Sequence, residues 1–182
     1  MPAARIFVNT NKMAALISEL TLPGLFDFRG SGQVGNMSEN LSPGPFTTGN
    51  IVENRLIQTD QQIDFKFEWF VKGIFAHAFN PAFRWRIEIF MERYGPNEFD
   101  LGALGVKTLT YGSGDLVLPD EVQFPGAGAP NSTTISIPGG TIPDGVYDVV
   151  AVLSLLHAAP DDTPCFLAAF AEFGKMRFYQ EH

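Results

Sequence analysis

The chain has 182 residues, 45% of them apolar and 18% charged, with 17 phenylalanines, 18 glycines and 13 prolines. That is the make-up of one folded domain with many turns, large enough to bury roughly 70% of its unfolded surface without a covalent staple. A single cysteine, Cys165, excludes an internal disulfide and a thiolate zinc cage, and twelve basic against twenty acidic residues oppose binding to nucleic-acid phosphates. No stretch has the length of a membrane span, and Met1 to Lys12 carries polar residues where a secretory leader needs its apolar run. The expectation is a soluble protein, cytoplasmic at synthesis, with neither nucleic acid nor membrane as partner and no cofactor.

The reading divides the chain at residue 48. Residues 1–48 are expected to form a helix and an irregular covering segment, and residues 49–182 a single β domain. Arg5 to Val8 is a possible short strand. Asn11 stands in N-cap position before Lys12 to Leu20, where Met13, Leu16, Ile17 and Leu20 fall at i, i+3, i+4 and i+7, one face of an amphipathic helix. Pro23-Gly24 would end it. A helix so short is unstable unless its apolar face docks. Leu25 to Gly49 is punctuated by glycine and proline, and its length suggests a hidden strand.

From Asn50 onward the period becomes two. Ile63, Phe65, Phe67, Trp69 and Val71 alternate with Asp64, Lys66, Glu68 and Phe70. Phe83, Trp85, Ile87, Ile89 and Met91 alternate with Arg84, Arg86, Glu88 and Phe90. These two strands are expected to be hairpin partners in a register pairing Trp69 with Trp85. That register would set Glu68 against Arg86 and Lys66 against Glu88. Further strands are expected at Val106 to Tyr111, Leu116 to Leu118, Val122 to Phe124, Thr133 to Ile137, Val146 to Leu156, Phe166 to Phe173 and Lys175 to Tyr179. Turns at Pro138-Gly139-Gly140, Pro143-Asp144-Gly145 and Pro160 to Pro164 separate the later ones. The pattern predicts an all-β, antiparallel β-sandwich of jelly-roll or immunoglobulin-like wiring, with one short N-terminal amphipathic helix.

An antiparallel sandwich strand should have one apolar and one wet face. The last long strands are apolar on both: Val150 and Val152 lie opposite Val149, Ala151 and Leu153, and Phe166 and Phe170 opposite Leu167 and Phe173. Phe70 and Phe90 sit on otherwise polar faces. These second faces need a cover, either the N-terminal helix and its following segment or another subunit. The expected interaction residues are Met13, Leu16, Ile17, Leu20, Phe70, Phe90, Val150, Val152, Phe166 and Phe170.

The motifs for chemistry are thin. Gly30-Ser31-Gly32-Gln33-Val34-Gly35 fits G-x-G-x-x-G, but no helical period follows it, so it reads as a glycine turn and not a dinucleotide fingerprint. Ser31 and Ser113 lack the context of a nucleophile elbow. His77, His157 and His182 are far apart in sequence, and no metal-binding spacing joins them. Asp161 and Asp162, with the loop carboxylates Asp115, Asp120, Glu121 and Asp144, are the candidate calcium ligands. Glu88 and Glu92 are paired carboxylates, but the nearby Arg84, Arg86 and Lys66 favour ion pairing over general-acid chemistry. Trp69 and Trp85 fall on the apolar alternation, while Tyr94 and Tyr111 precede glycines and are candidates for sugar stacking. No catalytic set emerges. The leading expectation is a non-enzymatic structural or interaction protein that self-associates as a homo-oligomer or a component of a shell, filament or other assembly. The alternative is a carbohydrate- or Ca²⁺-dependent ligand-binding module, and a weaker one is a carboxylate-based hydrolase.

Overall fold

The computed structural model describes residues 12–19, 27–36, 56–72, 83–95, 99–110, 131–157 and 162–180. Among them the chain is all-β. The strands are β1 (Lys12–Ser18), β2 (Asp27–Asn36), β3 (Leu56–Gln58), β4 (Ile63–Lys72), β5 (Phe83–Arg93), β6 (Val106–Thr110), β7 (Asn131–Ile137), β8 (Gly145–His157) and β9 (Pro164–Tyr179), with one 3-10 turn at Gly102–Gly105. They form a single sheet in the order β6-β5-β8-β9-β1-β2-β4-β7, and β3 adds to β9. Every pairing is antiparallel except that of β3 with β9. The sheet curls until its end strands approach, and the barrel is nearly closed. Across the seam, Nζ of Lys107 on β6 donates to the carbonyl of Thr134 on β7 at 3.1 Å. Lys107 pairs with the fully buried Ile87, so it sits on the inner side of an edge strand, where a charge also discourages a further strand from adding.

The alternation in the sequence decides which way each strand faces. On β4 the side chains of Ile63, Phe65, Phe67 and Trp69 are buried, and on β5 those of Trp85, Ile87, Ile89 and Met91. On β8 the buried set is Tyr147, Val149, Ala151, Leu153 and Leu155. One core gathers them. Its centre is aromatic: Trp69 meets Trp85 edge-on at 5.9 Å, Phe28 lies 6.1 Å from Trp85, and Phe173 stands 5.7 Å from Phe65 and 6.3 Å from Phe67.

Four local expectations are corrected. Lys12–Ser18 is a strand and not a helix. A helix of this length would need its apolar face docked, whereas a strand here completes ladders on both sides, with Met13 paired to Gln33 and Ile17 to Phe170. Period two then splits the supposed apolar face: Leu16 turns into the core and Ile17 turns outward. The proposed helical cover is therefore part of the sheet itself. The second correction concerns β4 and β5, which are not hairpin partners. β4 pairs with β2 and β7, and β5 with β6 and β8. Trp69 and Trp85 do meet, but edge-on across the core and not as neighbours on adjacent strands. The charges pair along each strand instead, Lys66 with Glu68 at 3.5 Å and Arg86 with Glu88 at 2.6 Å.

The third correction is the glycine motif. Gly30, Gly32 and Gly35 lie within strand β2, and the first two stand where core side chains and a neighbouring backbone approach closely. Gly32 pairs with Phe67, and a Cβ built on it would lie 2.7 Å from Cζ of Phe173. A Cβ on Gly30 would lie 2.9 Å from the carbonyl oxygen of Glu68 and 3.0 Å from Cβ of Trp69.

The two expected segments 166–173 and 175–179 are one strand with a bulge. Val149 pairs with Gly174 and Val150 with Glu172, leaving Phe173 as the extra residue, and Gly174 adopts φ 64°. The insertion flips the parity. Leu167, Ala169, Ala171 and Phe173 point inward before it, and Met176 and Phe178 after it. The expected strands at 5–8, 116–118 and 122–124 and the turn at Pro23-Gly24 lie outside the described residues.

Candidate functional site

The cross-strand register places the second, apolar face of the closing strands on the outside of β5, β8, β9 and β1. In one row across the sheet Glu88 lies beside Val152, Val152 beside Phe170, and Phe170 beside Ile17. In the next row Phe90 lies beside Val150 and Val150 beside Glu172. Ile17 is 70% exposed and Phe90 53%, and Val150, Val152 and Phe170 are half-buried. Open water on such a band forgoes about 25 cal/mol for each Å² of apolar surface.

The expected interaction residues divide accordingly. Ile17, Phe90, Val150, Val152 and Phe170 share this face. Leu16 does not belong to it: at 5% exposure it is core, because strand geometry sends it opposite to Ile17. Phe70 is half-buried on β4, beside Arg29 of β2, on a different part of the sheet. Leu20 and the side chains of Met13 and Phe166 lie outside the described residues.

Charged side chains flank the apolar band along the strand direction. Toward one end, Arg84 and Arg86 of β5 lie beside Leu156 and Ser154. Arg84 pairs with Asp162, and Arg86 with Glu88. Toward the other end, Glu92 lies beside Asp148, and Asp148 beside Lys175. The Lys175 ammonium stands 4.7 Å from the ring centre of Tyr94, which is 51% exposed. An open groove of about 570 Å³ runs between Phe90 and the Gly102–Gly105 turn, with Arg86, Glu88 and Asp100 on its walls.

Residues considered for chemistry are dispersed. Asp162 is exposed and engaged by Arg84, so a cation there would have to displace a guanidinium. Asp161, Asp115, Asp120, Glu121, Tyr111, Ser113, His77 and His182 lie outside the described residues. His157 ends β8 against the Phe83 ring at 5.1 Å. Glu88 and Glu92 are held apart in function: the first is bound to Arg86, and the second lies among the acidic residues of the far end. Among the described residues no three of His, Cys, Asp and Glu cluster so as to hold a metal ion, and no helix is long and apolar enough to cross a membrane.

Sequence reasoning passed over Lys107 at the seam and the hydrogen bond of Tyr147, although alternation did put Tyr147 on the face with Val149, Ala151 and Leu153. The signal for Lys107 was its place in alternation with Leu109, which faces Trp85. Tyr147 is fully buried and donates from Oη to the carbonyl of Pro143 at 3.0 Å. Burial pushes its phenol above the ordinary value of 10.0, with Arg93 pulling it down and Asp144 pushing it up. The unfolded chain therefore ionises this phenol first. Its contribution to stability is complete below about pH 10 and is lost as pH rises through the folded value. Alkaline titration of unfolding should show this loss, and Tyr147→Phe should remove that component while costing about 1 kcal/mol for the hydrogen bond. Identical alkaline profiles for the two proteins would contradict the assignment.

Compared with known proteins, the chain matches no protein family, no curated protein and no solved structure.

Proposed function

We propose that this chain is a non-enzymatic structural or interaction protein that associates with copies of itself through the outer face of its sheet, as a component of a shell, filament or other assembly. One observation carries the reading: the apolar band of Ile17, Phe90, Val150, Val152 and Phe170, continuous across four neighbouring strands and open on the single chain. Contiguous patches of this kind mark interaction sites. Sandwich-type wiring is the finer reading of the fold. It draws support from the bond of Tyr147 to a backbone carbonyl four residues upstream at the entry to β8, the arrangement of a tyrosine corner in Greek-key sandwiches.

Light scattering coupled to size-exclusion chromatography, over a wide range of concentration, tests the reading. The expected result is a mass that rises with concentration for the wild type. Ile17→Ser with Phe90→Ser should be monomeric with an unchanged Tm, because both side chains are exposed in the single chain. A wild type that stays monomeric at every concentration overturns the proposal.

The exposed ring of Tyr94 favours a second reading, a carbohydrate-binding module that stacks sugar on that ring. A thermal shift on adding a glycan, absent in Tyr94→Ala, would support it.

A further inference from the structure

We propose that the open groove beside Phe90 binds a neutral saccharide, with one sugar ring stacked on Phe90 and its hydroxyls shared among Arg86, Glu88 and Asp100. The inference goes beyond self-association, and the site is separate from the ring of Tyr94.

The groove follows from strand lengths. β6 begins at Val106, opposite Glu88, whereas β5 runs on to Arg93. Past Glu88, therefore, no strand among the described residues lies on that side of β5, and the Gly102–Gly105 turn comes in its place. The outside of a nearly closed barrel is convex, and this step cuts a concavity into it. Its volume of about 570 Å³ falls within the roughly 300–1,000 Å³ of small-ligand sites. The far wall is held in position. Leu101 is buried in the core, and a Cβ on Gly105 would lie 2.8 Å from Cβ of Leu101 and 3.1 Å from the carbonyl oxygen of Ile89, so the turn is pressed against β5. Oδ1 of Asp100 accepts from N of Gly102 at 2.8 Å, which fixes the entry to the turn. Gly102 and Ala103 carry no bulky side chain, so a ligand can approach the backbone of this rim.

The groups facing the groove select the ligand. Phe90 is 53% exposed and offers an apolar surface. Arg86 supplies donors, and Glu88 and Asp100 supply acceptors. Arg86 and Glu88 pair at 2.6 Å, which leaves Asp100 as the unbalanced charge of the lining, exposed and screened by water. An anion would meet two carboxylates. An organic cation would have to take Glu88 from Arg86 or rely on the screened carboxylate of Asp100. A pyranose satisfies every group, because its hydroxyls both donate and accept while its face of C–H bonds covers an aromatic ring.

Saturation-transfer NMR with maltotriose, cellotriose, mannotriose and chitotriose tests the site, with spermidine and trigalacturonate as charged probes. A second copy would compete for Phe90, so the titrations are run at concentrations where light scattering shows the monomer. The expected result is binding of at least one neutral trisaccharide, unaffected by added salt. Phe90→Ala should weaken it at least ~10-fold and Phe90→Tyr should keep it, both with an unchanged Tm because the side chain is exposed in the single chain. Binding that survives Phe90→Ala but is lost in Tyr94→Ala overturns the groove and leaves the Tyr94 reading standing. Binding of a charged probe alone overturns the neutral ligand. If no trisaccharide binds, both carbohydrate sites fall, and self-association stands on its own test.

Discussion

Replacing Trp85 by alanine should lower the unfolding free energy by about 3–5 kcal/mol. Trp85 is fully buried and joins both sides of the core, touching Trp69 of β4 and Phe28 of β2. Truncation loses the transfer free energy of the indole and leaves a cavity lined by rings that cannot close over it. Urea denaturation at neutral pH measures the effect, and a loss below about 1.5 kcal/mol would mean that this region is not a packed core. Trp69 should behave differently toward a smaller change. Its Nε1 is buried with no acceptor. Trp69→Phe removes that unsatisfied donor along with the lost volume, so its cost should stay under about 1.5 kcal/mol.

The second large effect is expected at a residue with no side chain. Gly32→Val should destabilise by about 1–3 kcal/mol or more through overpacking. The added Cβ would fall 2.7 Å from Cζ of Phe173 and 3.0 Å from Cε1 of Phe67, both in fully buried side chains. Phe173 cannot retreat readily, because the bulge at Gly174 fixes where its ring enters the core. Shortening that ring should relieve the clash: Phe173→Leu with Gly32→Ala should cost less than the sum of the two single changes. Additive costs in a double-mutant cycle would show that the two positions do not share space.

These effects bear on how much was legible in the residues alone. The alternation in Ile63–Lys72, Phe83–Arg93 and Gly145–His157 named the inward side chains of three central strands, because pleating sends successive side chains to opposite faces whatever the partners. The outward apolar set of Phe90, Val150, Val152 and Phe170 was legible for the same reason. Lys12–Ser18 was misread because its apolar residues fit a helical period, and the contest was settled by two neighbouring strands with ladders to complete. Strand β2 was hidden because its inward positions hold Gly30 and Gly32, which carry no hydrophobic signal. Their role exists only beside Trp69, Phe67 and Phe173. The pairing of β4 with β5 looked convincing because matched faces and matched charges fit side-by-side strands and face-to-face strands alike.

For the candidate face, the sequence supplied the side chains but not their assembly. It showed that Val150 and Phe170 stood on the second face of their strands. It did not show that Ile17 would join them through β1, or that Leu16 would leave them for the core.

By itself, then, the sequence determined the class of structure, the inward and outward residues of its longest strands, and the surplus of apolar surface. All of these follow from local covalent geometry and the two-residue period of an extended chain. The tertiary structure alone decided which strands are neighbours, where a bulge reverses the facing of β9, why glycines stand in β2, and that Ile17 and Phe90 share one outer apolar face. Those features depend on contacts between residues far apart in the chain, and no local preference of either partner encodes them.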